Sequence, residues 1–270
     1  MNRVVFITGA TSGIGKACAE KFAAAGDHLI INGRRQDRLE ELKQSLENHY
    51  KVEVLIAAFD IQNKKEVFDC INSFSGKWKA INILINNAGL ALGRDFFDEA
   101  SLTDWETMLH TNVDGLLYVS KAVLPYMIEK KQGHIINLGS VAGDDVYEKG
   151  NVYCASKSAV EAISRAMRID LLRHRIKVTN IKPGAVETEF GVVRYKGDAA
   201  KAAKVYEGFT PLTGVDIADA IFYCASLPPN ICINELEITP LAQATGIFFT
   251  RVCNYCNIFS AKSLTIGALG

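Results

Sequence analysis

Val4-Val5-Phe6-Ile7-Thr8-Gly9-Ala10-Thr11-Ser12-Gly13-Ile14-Gly15 opens the chain with an apolar run of strand length, a turn holding three glycines, and the start of a helix. From Ile14 onward, Ala17, Cys18, Lys21, Phe22 and Ala25 recur at spacings of three and four, one face of a helix that Gly26 ends. A strand that passes through glycines into a helix lets a pyrophosphate approach backbone N–H groups at the helix N-terminus. The candidate contacts are Gly9, Thr11, Ser12, Gly13, Ile14 and Gly15. Their spacing is GxxxGxG rather than GxGxxG, and a glycine turn alone also serves any strained loop. Its position between strand and helix is what points to a nucleotide.

The rhythm continues outward from this stretch. Short β-branched runs at His28 to Asn32, Val52 to Phe59, Ile81 to Ile85, His134 to Leu138 and Lys177 to Ile181 alternate with segments of helical spacing. This predicts an α/β fold, a single-domain Rossmann-like doubly wound parallel sheet. Val160, Ile163, Met167 and Leu171 form the core stripe of a later helix. Residues 185 to 214, after Pro183-Gly184, break the rhythm and read as a lid or short helical excursion over a pocket. The domain is placed at residues 1–246, with 247–270 as an extension of unassigned structure.

Composition bounds the partners. Thirty basic and thirty acidic side chains cancel, so no global field draws the chain to nucleic acid or an anionic membrane, and phosphate recognition must be local. The first apolar run is too short for a secretory signal core, and no stretch reaches the roughly 18 apolar residues of a membrane span. Seven scattered Cys fit reduced thiols, which places the chain in the cytoplasm as an expectation. Cys253 and Cys256 are the only CxxC pair, with no second pair or nearby His, so they read as ordinary thiols and no metal is expected.

The end of the second strand selects between dinucleotides. An NAD site commonly has a carboxylate there for the ribose hydroxyl. Here the place reads Asn32-Gly33-Arg34-Arg35, where guanidinium forks favour the 2′-phosphate of NADP. The alternative is that Arg34, Arg35 and Arg38 begin the next helix as solvated charges.

Tyr153 and Lys157 lie four residues apart and share a helix face. A phenol of pKa about 10 needs a neighbouring cation to accept a proton near neutrality. Such a pair alone is uninformative; its company gives it meaning. Ser140 follows the strand ending at Leu138, where a parallel sheet presents residues to ligand, and its hydroxyl can donate to a substrate oxygen. Gly139-Ser140-Val141-Ala142-Gly143 is not a GxSxG elbow, which disfavours a serine hydrolase.

Over residues 3 to 245 the chain resembles the short-chain dehydrogenase/reductase family. The resemblance rests on the glycine turn, Asp60, Asn86-Asn87-Ala88-Gly89, Asn112, Ser140, Tyr153-Cys154-Ala155-Ser156-Lys157, and Pro183-Gly184 with Thr188. It implies that Tyr153 transfers a proton, that Lys157 also binds the nicotinamide ribose, and that Asn112 holds a water of the proton relay. It also implies that Asp60 contacts the adenine region, that Asn87 supports the cofactor-facing strand, and that Pro183, Gly184, Val186 and Thr188 lie beside the nicotinamide. For the two amides, loop or helix-kink hydrogen bonding is the competing role.

Within that family the chain is more closely similar to NADP-dependent 3-hydroxy acid dehydrogenases. Residues 83–93, 104–108, 186–190, 193–198 and 233–237 carry this likeness, whereas 247–270 depart from it. The expected reaction is hydride transfer between NADP and a small 3-hydroxy acid such as serine or L-allo-threonine. The alternatives are a broad carbonyl reductase for aldehydes, ketones or sterols, and a non-catalytic nucleotide sensor. Ser140 and Tyr153 would bind the reacting oxygen. Arg194 is the candidate partner of the substrate carboxylate, against a role as a surface or subunit-contact arginine. The resemblance further implies a homodimer or homotetramer paired through helices within 104–130 and 153–173.

Overall fold

The computed structural model describes residues 2–251, so Cys253, Cys256 and most of the 247–270 extension lie outside the described residues. The chain runs β1 (Val4–Ile7), α1 (Gly13–Ala24), β2 (His28–Gly33), α2 (Gln36–Tyr50), β3 (Val54–Ala58), α3 (Lys64–Asn72) and β4 (Ile81–Asn86). It continues with α4 (Leu102–Leu109), α5 (Leu116–Lys130), β5 (Gly133–Leu138), α6 (Asn151–Leu171) and β6 (Ile176–Pro183). The last part holds β7 (Val186–Glu187), α7 (Glu189–Arg194), α8 (Ala199–Lys204), β8 (Leu212–Thr213), α9 (Gly214–Ser226) and β9 (Glu235–Ile238).

Seven strands form a parallel sheet in the order β3-β2-β1-β4-β5-β6-β9. Every residue of β1 and β5 is buried, so both faces of the sheet need a helical cover. Side chains of α1, α2 and α9, including Phe22, Leu39, Leu46 and Ile221, fill one face. Val67 and Ile71 of α3, Val123 and Met127 of α5, and Leu171 of α6 fill the other. Strand order reverses between β1 and β4, whose ends align at Ile7 and Ile85. A doubly wound sheet opens its ligand crevice there, beyond the carboxyl ends of the strands.

Four polar side chains cross the middle of this apolar structure. Asn86 of β4 donates to Ser120 Oγ of α5 and to Asn137 Oδ1 of β5, each at 2.9 Å. Asn137 in turn donates to Ser164 Oγ of α6 at 2.9 Å. All four residues are buried, so the ladder ties α5 and α6 to the central strands beneath the crevice.

The six predicted strands and the first helix form where their sequence patterns place them. The seventh strand, β9, was not predicted as one. It is an edge strand whose Glu235 and Glu237 interrupt the apolar run, while Leu236 packs on the core. Residues 185–214 form α7, α8 and a two-stranded parallel ribbon of β7 with β8, the helical excursion expected of them. Residues 242–251 turn back on themselves: Thr250 N–H donates to the Ala242 carbonyl at 2.8 Å, and Gly246 N–H to Asp145 at 2.9 Å.

Candidate active site

The crevice is a cavity of about 780 Å³. It is lined by all the candidate site residues except Gly15 and Asn112. At its phosphate end, Gly9 has φ +65°, and a side chain there would meet the Ala88 backbone at 2.9 Å. A Cβ on Gly15 would stand 2.3 Å from the Gly9 carbonyl oxygen, so α1 can start hard against the turn only with glycine here. Asn87 staples the turn from β4: its side chain donates to the carbonyls of Thr8 and Gly9 at 2.8 and 3.0 Å, and its N–H to Thr8 Oγ1 at 3.0 Å. Ser12 precedes α1 without capping it, leaving the first helical N–H groups for an anion. These features fit a dinucleotide pyrophosphate.

Beyond β2, Arg34 lies 3.8 Å from Asp60, and Arg35 donates to Thr11 Oγ1 at 3.0 Å. Asp60 also accepts from Gln62 N–H at 3.0 Å, which shapes the loop after β3. No carboxylate follows β2 directly, so this end retains the positive forks that a 2′-phosphate requires.

At the other end, Ser140 leaves β5 and accepts from Ala142 N–H at 3.1 Å. Its hydroxyl points to the Pro183 carbonyl at 3.5 Å, so two strand ends meet at this residue. Tyr153 and Lys157 project from the first turns of α6 into the same cavity. Burial raises the Tyr153 phenol above its ordinary range and the Tyr147 ring adds to this, while the Ser140 hydroxyl and the Arg194 guanidinium oppose it. The Lys157 ammonium donates to the Leu138 carbonyl at 2.8 Å, and burial pulls its pKa down to about 8. The cation stacked on Tyr153 is Arg194, 5.3 Å from the ring centre.

Asn112 sits in a π-helical turn, His110–Gly115, between α4 and α5. Its amide donates to the Leu90 carbonyl at 2.8 Å and to Ser156 Oγ at 3.0 Å, and accepts from Leu90 N–H at 2.8 Å. The side chain therefore ties the loop after β4 to α6. π turns are frequent beside functional sites because they break the regular backbone ladder.

Arg194 also donates to Tyr147 Oη at 3.0 Å, and its carbonyl accepts from Gly93 N–H at 3.0 Å. Arg94 faces the Tyr147 ring at 5.8 Å, so two guanidinium groups flank one tyrosine beside Tyr153. Phe190 of α7 closes on Tyr153 with ring centres 5.8 Å apart. The outer wall includes Gln243, Phe249 and Arg251 of the 242–251 turn. Arg251 is held between Phe209 and Phe249 at 5.3 and 5.5 Å. Sequence reasoning did not single out Arg94, Tyr147, Phe190 or this wall. Arg94 and Tyr147 lie in loops beyond the carboxyl ends of β4 and β5, and that placement was the one available signal.

Residues 3–198 match the short chain dehydrogenase family. The chain belongs to that family. Over 242 residues this short-chain dehydrogenase is 45% identical to an NADP-dependent 3-hydroxy acid dehydrogenase, YdfG, of Salmonella typhi, covering 89% of the chain and 96% of that protein. It is 44% identical over 249 residues to a sulfoacetaldehyde reductase of Chromohalobacter salexigens, covering 92% and 98%. The closed form of a serine dehydrogenase complexed with NADP+ superposes with a TM-score of 0.87 at 42% identity, covering 93% of this chain and 100% of that one. Among the described residues of this family member, no helix is long and apolar enough to cross a membrane. Among the same residues, no group of three His, Cys, Asp or Glu side chains is placed to hold a metal ion.

Proposed function

We propose that this short-chain dehydrogenase interconverts a small 3-hydroxy acid, such as serine or L-allo-threonine, and its 3-oxo acid, using NADP(H). The observation that carries this reading is the position of Arg194, its guanidinium over the Tyr153 ring with Arg94 nearby. A small hydroxy acid has little apolar surface, so its carboxylate must supply much of its recognition, and a planar fork suits it. The similar proteins fit the same logic. A 3-oxo acid and sulfoacetaldehyde both hold a carbonyl one methylene away from an acidic group.

When bound, NADP(H) accepts or returns the hydride. Gly9, Thr11, Ser12, Gly13 and Ile14 would hold its pyrophosphate, with Gly15 and Asn87 supporting the turn. Arg34 and Arg35 would hold its 2′-phosphate and Asp60 the adenine region. Pro183, Gly184, Val186 and Thr188 would flank the nicotinamide. Tyr153 takes the hydroxyl proton as phenolate, Ser140 holds the same oxygen, and Lys157 keeps the phenolate favourable and would bind the ribose. Asn112, placed by its π turn, would hold a water that continues the relay of that proton from Lys157 to solvent.

A panel of serine, 3-hydroxypropionate and uncharged aldehydes and ketones, each with NADP(H) and NAD(H), tests the assignment. Preference for the charged compounds with NADP is expected. Equal rates on uncharged compounds would favour the broad carbonyl reductase, and no turnover would favour a nucleotide sensor. Arg194→Ala is expected to raise KM for serine by about 10-fold or more, the scale of losing a charge-assisted hydrogen bond of roughly 1.5–3 kcal/mol. Reduction of an uncharged aldehyde should change little. Parallel losses on both would remove Arg194 from carboxylate binding.

The chain is further proposed to act in the cytoplasm as a homodimer or homotetramer. Leu102, Leu109, Leu117, Ile169 and Leu172 are exposed on α4 to α6 or just beyond, and pairing of these helices would cover them. Sedimentation at micromolar concentration should show a dimer or tetramer, and a monomer would overturn the assignment.

A further inference from the structure

α7 touches both ends of the cavity. Glu189, its first residue, places both carboxylate oxygens 3.3 Å from Arg38 Nη1, and one of them 3.9 Å from Arg35 Nη2. Arg35 also donates to Thr11 of the glycine turn. A carboxylate of the protein thus sits on Arg38, at the edge of the cavity, and 3.9 Å from Arg35, one of the two arginines assigned to the 2′-phosphate. At the other end of the same short helix, Arg194 lies over Tyr153. Glu189 and Arg194 are the two ends of one six-residue helix, which gives a displacement of Glu189 a direct covalent path to Arg194.

We propose that Glu189 is an internal anion that fills the 2′-phosphate site until NADP(H) displaces it, making it a positioning residue that links cofactor choice to the placement of Arg194. The inference rests on the NADP reading above, and deepens it. Glu189 and its arginine partners are solvent-exposed, and such ion pairs are weak enough to exchange. A phosphate monoester brings more charge and three acceptor oxygens, and it engages guanidinium forks bidentately. NAD offers a hydroxyl at this position, which gives it no means of displacing a carboxylate.

The test is calorimetric titration of the cofactor-free chain with NADP+ and NAD+, comparing the wild type, Glu189→Gln and Glu189→Asp. If Glu189 fills the site nine-tenths of the time, the Gln variant binds NADP+ about 10-fold more tightly. Its NAD+ affinity should stay near that of the wild type. The Asp variant keeps the charge and loses the reach, so it should move toward the Gln value; an Asp variant at wild-type affinity overturns direct occupancy in favour of a long-range field. Adenosine 2′,5′-bisphosphate should speed hydrogen exchange across residues 189–194 in the wild type, whereas adenosine 5′-monophosphate should not. In Glu189→Gln that exchange should already be fast. Unchanged NADP+ affinity, equal tightening for both cofactors, or exchange indifferent to the bisphosphate overturns the proposal. Because these are binding readouts, failure of the 3-hydroxy acid assignment appears separately, as absent turnover.

Discussion

Tyr153→Phe is expected to lower turnover at saturating substrate and cofactor by at least about 100-fold, the usual scale of a lost general acid–base group. The ring stays, and with it the contacts to Phe190 and to the Arg194 guanidinium. Only the hydroxyl goes. Cofactor affinity should therefore change little, and the fall should lie in the proton-transfer step for charged and uncharged substrates alike. Near-normal turnover would exclude Tyr153 as the proton carrier. This pattern separates it from Arg194, whose loss should discriminate between substrates.

The second large effect is at Lys157, where activity and stability should move in opposite directions. Its pKa is about 8 in the folded chain against an ordinary 10.5, and the cause is burial. In the unfolded chain the ammonium persists up to the ordinary value, so between the two pH values the unfolded state holds one more proton. Stability from this group is therefore complete above about pH 10.5, falls as pH drops toward 8, and is absent below. Near pH 7 the buried charge costs about 3 kcal/mol. Lys157→Met removes that cost and leaves the Leu138 carbonyl without its partner, an opposing loss of about 1–3 kcal/mol. With NADP(H) present the variant should lose most activity, by about 100-fold or more, as expected when the proton carrier can no longer ionise. Its stability relative to the wild type should decline as pH rises from 7 to 9.5 in urea denaturation. A difference independent of pH would show that Lys157 does not titrate in this window.

Much of the fold was legible because buried parallel strands are continuous apolar runs, as in Val4 to Ile7 and Ile83 to Ile85. β9 escaped because its alternating glutamates are those of an edge strand, and its pairing with β6 is a tertiary matter. The residue types of the candidate site were readable from the glycine turn, Ser140, Tyr153 and Lys157. Their partners were not. Sequence reasoning named Lys157 as the cation beside the phenol but not Arg194, which is stacked on the ring, nor the bond from Lys157 to the Leu138 carbonyl. Such pairings depend on how α7 and the loop after β4 fold over the sheet, and no local pattern records that. Arg94 and Tyr147 come together for the same reason, from positions far apart in the chain.

The polar ladder of Asn86, Ser120, Asn137 and Ser164 constrains how this sequence can change through descent. Replacing Asn137 alone by leucine would leave one Asn86 amide N–H unpaired in a dry interior, at about 1–3 kcal/mol, while Asn86 keeps its bond to Ser120 and Ser164 its bond to the Val160 carbonyl. Substituting the members together by apolar residues of matching shape avoids that cost, yet the intermediates on every single-step route bear it. The four positions therefore favour joint over single replacement.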